Sequence, residues 1–283
     1  MRILSTLLLT VLFFLSCKKT DNSSDGNPPA KAIIDVSYGP DARQKMDVYL
    51  PANRSAATTK LMFLIHGGGW TEGDKADFTA SVSTLQLRFP DYAFVNINYR
   101  LVANNQNLFP SQENDVKAGV QFVLSKKTEY MISDTWVFLG ASAGAHLALL
   151  QSYKYPALIQ PKAVVSFFGP TDLVQLYNNP PGPLIPLLLF SVTGFIPSAN
   201  ATVYTQSSPI NFVTAQSCPT ILLQGGQDPL VPAAQATFLK ARLDSAGVAN
   251  QYVFYPNEGH GWVGANLNDS FDKIEAFIRQ HVN

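Results

Sequence analysis

The stretch Trp136-Val137-Phe138-Leu139-Gly140-Ala141-Ser142-Ala143-Gly144 decides the fold. Its first four residues are aromatic, β-branched or aliphatic and read as a buried strand. Residues 143–150 continue with a helical pattern, so residues 140–144 fill a strand-to-helix turn. That is the setting a G-x-S-x-G elbow requires. The turn is too sharp for neighbouring side chains, so Gly140 and Gly144 leave room while Ser142 carries its hydroxyl above the sheet. The N–H of Ala143, at the helix N-terminus, points to where negative charge on a reacting oxygen would be held.

Outward from this strand, short β-rich runs alternate with helical patterns. Residues 33–36 and 46–50 read as an antiparallel opening pair, the second stopped by Pro51. Residues 61–65 are continuously apolar, as a strand covered on both faces should be. A helical stretch over 76–89 leads to a strand over 92–97. Pro110 then opens a helix whose apolar stripe is Val116, Val120, Phe122 and Val123. Further strands are expected over 136–139, 163–168, 220–223 and 251–254, with helices over 233–245 and after Asp269. Such alternation predicts an α/β fold with a mostly parallel central sheet and helices on both faces. One segment breaks the rhythm. Residues 172–217 hold six prolines between Pro180 and Pro209 and an apolar run over 184–190, which predicts a lid or pocket wall rather than a plain excursion.

His66-Gly67-Gly68-Gly69-Trp70 follows the strand over 61–65. Consecutive glycines let a backbone turn its N–H groups outward and approach a ligand closely, so Gly68 and Gly69 join Ala143 as candidate oxyanion donors. A phosphate cradle would need Lys-Ser/Thr after the glycines, which is missing. A serine hydroxyl needs a base to take its proton and a carboxylate to hold that base. Among the four histidines, His66 belongs to the glycine loop, His146 to the helix after Ser142 and His281 to the last helix. His260, in Glu258-Gly259-His260-Gly261-Trp262, follows the strand over 251–254 at the carboxyl edge and is the candidate base.

For the carboxylate, Asp228 and Asp172 both lie between Ser142 and His260 along the chain, so order alone does not separate them. Asp228 is preferred because it follows the strand next before the histidine loop, whereas Asp172 starts the insertion. Glu258 reads as a solvated or supporting neighbour of the base. Tyr99-Arg100 reads as a buried hydrogen-bonding pair, Asp115 as a charge favourable to a helix start, and Cys218 as a small core residue.

Of 283 residues, 46% are hydrophobic and only 14% charged, with 20 basic and 20 acidic side chains. Disorder is excluded, and a net charge of zero without a basic cluster gives no reason to bind nucleic acid. No H-E-x-x-H, C-x-x-C or dinucleotide fingerprint occurs, so neither metal nor cofactor is expected. Arg2 precedes an apolar run over 3–15, too short to span a bilayer and of signal-peptide length. Phe14-Leu15-Ser16-Cys17 resembles the lipobox of bacterial lipoproteins, which implies export and a membrane hold only through lipid on Cys17. Phe14 stands where Leu is usual, and the alternative is ordinary cleavage giving a periplasmic or secreted protein. Residues 1–17 thus read as a signal, 18–31 as a flexible tether and 32–283 as the catalytic domain.

The glycine loop at His66 to Trp70, the elbow at Ser142, Asp228 and His260 together resemble the α/β-hydrolase superfamily. Within it, the likeness is to esterases similar to hormone-sensitive lipase and to bacterial feruloyl and acetyl esterases. Asp47-Val48-Tyr49-Leu50-Pro51, Asn98-Tyr99-Arg100-Leu101 and Phe109-Pro110 extend it, from about Ile33 to the C-terminus. The resemblance implies an α/β-hydrolase fold and a serine carboxylesterase. Ser142 would attack the ester carbonyl, His260 shuttle the proton, Asp228 orient His260, and Gly68, Gly69 and Ala143 hold the oxyanion. Leu101 is not followed by Ala-Pro-Glu, and a tether stands in place of a long N-terminal cap. The expectation therefore moves to smaller esterases acting on short acyl or aryl esters, acetyl or feruloyl groups on polysaccharide among them. The alternatives are an amidase similar to kynurenine formamidases and a non-catalytic surface binding protein on a hydrolase fold.

Overall fold

Eight strands form one sheet: β1 (Lys31–Ser37), β2 (Lys45–Leu50), β3 (Lys60–Ile65), β4 (Tyr92–Ile97), β5 (Trp136–Ala141), β6 (Ala163–Phe167), β7 (Thr220–Gly225) and β8 (Asn250–Tyr255). These are the elements of a computed structural model that describes residues 28–282. The signal expected over 1–17, with Cys17, and tether residues 18–27 lie outside the described residues. The spatial order is β1-β2-β4-β3-β5-β6-β7-β8. β1, β2 and β4 pair antiparallel, and every pairing from β4 to β8 is parallel. The α/β-hydrolase architecture expected from the sequence is the one observed.

The helices are α1 (Thr79–Arg88), α2 (Ser111–Ser125), α3 (Lys127–Tyr130), α4 (Ala143–Lys154), α5 (Leu173–Asn178), α6 (Leu184–Thr193), α7 (Ala201–Gln206), α8 (Ala234–Ser245) and α9 (Gly264–His281). Both faces of the sheet are covered, which is why β4, β6 and β7 are buried at every position. On one face α1 and α9 bring Val82, Leu85, Phe271 and Ile274 to Met62, Leu64, Val137 and Leu139. On the other, α2, α4 and α8 bring Val120, Leu147 and Leu239 to Phe63, Ile65 and Phe138. Parallel strands present all their carboxyl ends at one rim, so the loops after β3, β5, β7 and β8 meet there.

Two boundaries differ from the sequence reading. The expected tether ends early, because the Pro28 carbonyl accepts from Asn53 N–H at 2.9 Å and β1 already begins at Lys31. The last helix starts at Gly264 instead of after Asp269. Residues 264–268 have a loop's composition, but Leu267 packs on the core and Asn266 Nδ2 donates to Glu258, so tertiary contacts extend the helix. The 172–217 insertion holds α5, α6 and α7, with Pro209–Phe212 as a short 3-10 turn.

Candidate active site

Ser142 sits between β5 and α4 with φ 54° and ψ −121°, a conformation costly for any residue with a side chain. The surroundings impose it. A Cβ on Gly140 would stand 2.3 Å from the Gly144 carbonyl oxygen, and a Cβ on Gly144 would stand 2.0 Å from the Ile65 oxygen. Only hydrogen fits at either position, and Ser142 N–H is tied to the Phe167 carbonyl at 2.8 Å. The sterically driven turn read from the sequence is therefore present.

From that turn, Ser142 Oγ lies 2.8 Å from His260 Nε2, and His260 Nδ1 lies 2.8 Å from Asp228 Oδ2. A carboxylate only accepts, so Nδ1 carries the proton donated to Asp228 and Nε2 is left to accept from the serine. Asp228 is nearly fully buried, and its charge is met by four donors. Leu230 N–H and Val231 N–H donate to Oδ1 at 2.8 and 2.9 Å; Gln224 Nε2 joins His260 on Oδ2 at 3.2 Å. Such fixed donors hold the carboxylate still.

Asp172 is elsewhere. Its carboxylate caps α5 by accepting from Gln175 N–H at 3.0 Å, and of the two aspartates it is Asp228 that meets His260. Glu258 stands beside the histidine without joining the relay and accepts from Asn266.

The glycine loop borders the same spot. Gly68 has φ +101° and Gly69 φ +55°, and both line a cavity of about 430 Å³ together with Ala143, Ser142 and His260. Among the described residues the N–H groups of Gly68 and Gly69 donate to no protein acceptor. The loop is braced from behind. His66 is fully buried, donates Nδ1–H to the Gly67 carbonyl at 2.8 Å and stacks on Tyr99 at 4.3 Å between ring centroids. Burial pushes its pKa down, so His66 is a neutral brace.

Two sequence readings need correction. Tyr99 and Arg100 do not bond to one another: Tyr99 Oη donates to the His66 and Gly67 carbonyls at 3.0 and 3.1 Å, while Arg100 turns away. Asp115 is not a charge placed for the helix dipole. It is buried and grips Arg100 through Nε at 2.9 Å and Nη2 at 2.7 Å, with Gln44 Nε2 on the same carboxylate at 2.8 Å.

Other site residues carried no individual signal, although the apolar run over 184–190 pointed to a pocket wall. Leu176, Ile185, Leu188 and Leu189 of the insertion wall the cavity opposite the rim. Phe168, just past β6, has φ +41° and its ring lies 4.6 Å from His260. Gln224 is an ordinary strand residue by type. His146 has Nε2 donating to the Ser207 carbonyl at 2.6 Å, which ties α4 to the insertion, and its edge meets Trp70 and Phe109.

Known proteins resemble this chain in sequence or in fold. Esterase LipQ of Mycobacterium tuberculosis is 27% identical over 82% of this chain and 58% of its own length, so the chain spans little over half of that relative. A truncated carbohydrate esterase from gut microbiota superposes with a TM-score of 0.74 at 24% identity, covering 87% of this chain and 96% of the other. Esterase 2 of Thermogutta terrifontis, in a form phosphonylated by sarin, gives 0.73 at 20% identity over 89% of this chain and 95% of its own. At such identities the two structures speak for the fold. The sequence match is more specific: the BD-FAE family is matched over residues 46–243, from the second strand through α8, and this chain belongs to that family.

Proposed function

We propose that this protein is a serine carboxylesterase cleaving short acyl or aryl esters, acetyl or feruloyl groups on polysaccharide among them. The observation that carries the reading is the unbroken relay from Asp228 through His260 to Ser142, opening into a cavity beside the glycine loop. Ser142 Oγ attacks the ester carbonyl as its proton passes to His260 Nε2. The imidazolium so formed is steadied by Asp228, and the oxyanion is held by the N–H groups of Gly68, Gly69 and Ala143. Collapse expels the alcohol, which takes the proton from His260 and leaves an acyl-Ser142. Water, deprotonated by the same nitrogen, releases the acid and restores the serine.

Cavity size supports short substrates, since about 430 Å³ shared by both halves of an ester leaves little room for a long chain. The names of the relatives, an esterase and a carbohydrate esterase, support the same reaction and substrate class. Export belongs to the proposal and rests on Arg2, the apolar run over 3–15 and Cys17 as the acylated residue. The 172–217 insertion serves as pocket wall. The test is turnover of p-nitrophenyl acetate, butyrate and laurate, and of acetylated xylan, by wild type and Ser142→Ala. Short esters should be hydrolysed and the variant should be dead. A fluorophosphonate probe should label wild type alone. Turnover surviving in Ser142→Ala would overturn the mechanism.

A further inference from the structure

A second cavity lies on the other side of Phe168. Its volume is about 240 Å³, and it shares Gly67, Ala141 and Phe168 with the first. Two of these residues flank Ser142, since Ala141 precedes it and a Cβ on Gly67 would stand 3.3 Å from the Ser142 Cβ, while Phe168 stands against His260. The first cavity is on the sheet face carrying α4 and the insertion. The second lies on the face carrying α1 and α9, between Leu85, Phe167, Trp262 and Phe271. The nucleophile thus stands on a ridge with a hollow to either side.

The lining of the second hollow states its preference. Aromatic rings and leucines form the floor and walls, and Asp77 and Ser81 are the polar side chains bordering it. A dry apolar cavity of roughly 150 Å³ already accepts benzene, so this one has room for a ring and a short linker. Phe168 forms the partition. Its positive φ is strained for an aromatic residue, and its ring is held by His260 at 4.6 Å and Trp262 at 5.4 Å. A strained wall beside the base, with space behind it, is suited to turn aside for a substrate.

Resting on the esterase reading above, we propose that the hollow between α1 and α9 is a second substrate subsite. It takes an aromatic ring carried a few bonds from the ester carbonyl, with Phe168 as the gate. The ester then straddles the ridge, one half under the insertion and the other among the rings. A phenolic hydroxyl on the bound ring would meet Asp77 or Ser81.

Filling the hollow from either wall tests this. Ser81→Trp works from α1 and Leu267→Trp from α9, and neither residue touches Ser142, His260 or Asp228. The substrates are ethyl acetate, methyl 3-phenylpropanoate and 2-phenylethyl acetate, which place the ring on neither half, the acyl half or the alcohol half. In both variants kcat/KM for one ring-bearing ester should fall by at least about tenfold, mainly through KM, while ethyl acetate stays near wild type. The ester that suffers identifies the half that occupies the hollow. If folded variants treat all three esters alike, the subsite is refuted while the esterase reading stands. If wild type and Ser142→Ala hydrolyse ethyl acetate equally, the esterase reading itself has failed.

Discussion

The rim of the sheet and the 172–217 insertion border the same cavity, and they are built by opposite means. At the rim the backbone does the positioning. Ser142 is held at φ 54° because Gly140 and Gly144 let main chain approach main chain, and Asp228 is fixed partly by two backbone N–H groups. In the insertion it is side chains that reach the cavity, from Leu176, Ile185, Leu188 and Leu189 on two helices. A wall made of side chains can be recut one residue at a time, whereas a turn made of main chain has no such freedom. The first region therefore suits unchanging chemistry and the second suits specificity.

The sharpest way to break this division is to alter the rim relay and look for survival. Asp228→Asn keeps the shape but supports the wrong histidine tautomer, and kcat on p-nitrophenyl acetate should fall about 10⁴-fold. Asp172→Asn, at the mouth of the insertion, should leave kcat within about twofold, because asparagine caps a helix as well as aspartate does. Equal losses in the two variants would erase the distinction between the regions. Gly144→Ala attacks the same turn sterically: its Cβ would meet the Ile65 carbonyl at 2.0 Å. The destabilisation in urea should exceed the roughly 1–3 kcal/mol of ordinary overpacking.

The join between the regions responds to acid. His146 on α4 is fully buried, donates to Ser207 of the insertion, and has its pKa pushed down to about 4 by desolvation. Its folded value is below the unfolded one, so the unfolded chain binds the proton first. Stability from the neutral ring is complete above about pH 6.5 and is lost as pH falls toward 4, by about 3 kcal/mol in all. Buried His66, shifted in the same direction, adds to the slope. Urea midpoints measured from pH 7 to pH 4.5 should fall, and His146→Phe should flatten part of that fall. An unchanged slope in the variant would mean that the join does not titrate.

Much of the rim was legible in the sequence because its constraints are local. G-x-S-x-G and the triple glycine are sterically demanding, and the loops holding Asp228 and His260 directly follow apolar strand runs that periodicity exposes. What could not be read depends on distant partners. Arg100 finds Asp115 only after β4 and α2 pack together, and Tyr99 reaches the His66 carbonyl only across the sheet. Chain order left Asp172 and Asp228 equivalent until α5 claimed the former as its cap. The insertion was recognisable by its prolines and its apolar run, yet which leucines face the cavity is set by how α5 and α6 dock, and α6 is apolar nearly all round.

That docking gives the smallest and most selective effect. Leu188 places Cδ2 only 3.4 Å from where a Cβ on Gly69 would be, so its side chain lies directly over the glycine loop. It is half-buried, and cutting it to alanine removes wall without opening the core. Leu188→Ala should leave turnover of p-nitrophenyl acetate near wild type, because the relay and the glycine N–H groups are untouched. The butyrate ester gains space for its added methylenes, each worth about 0.8 kcal/mol when buried. The butyrate-to-acetate ratio of kcat/KM should therefore rise about threefold to tenfold, with little change in the urea midpoint. A fall in both esters together would show that Leu188 holds the glycine loop in place, and the insertion would then share in the chemistry that the comparison assigns to the rim.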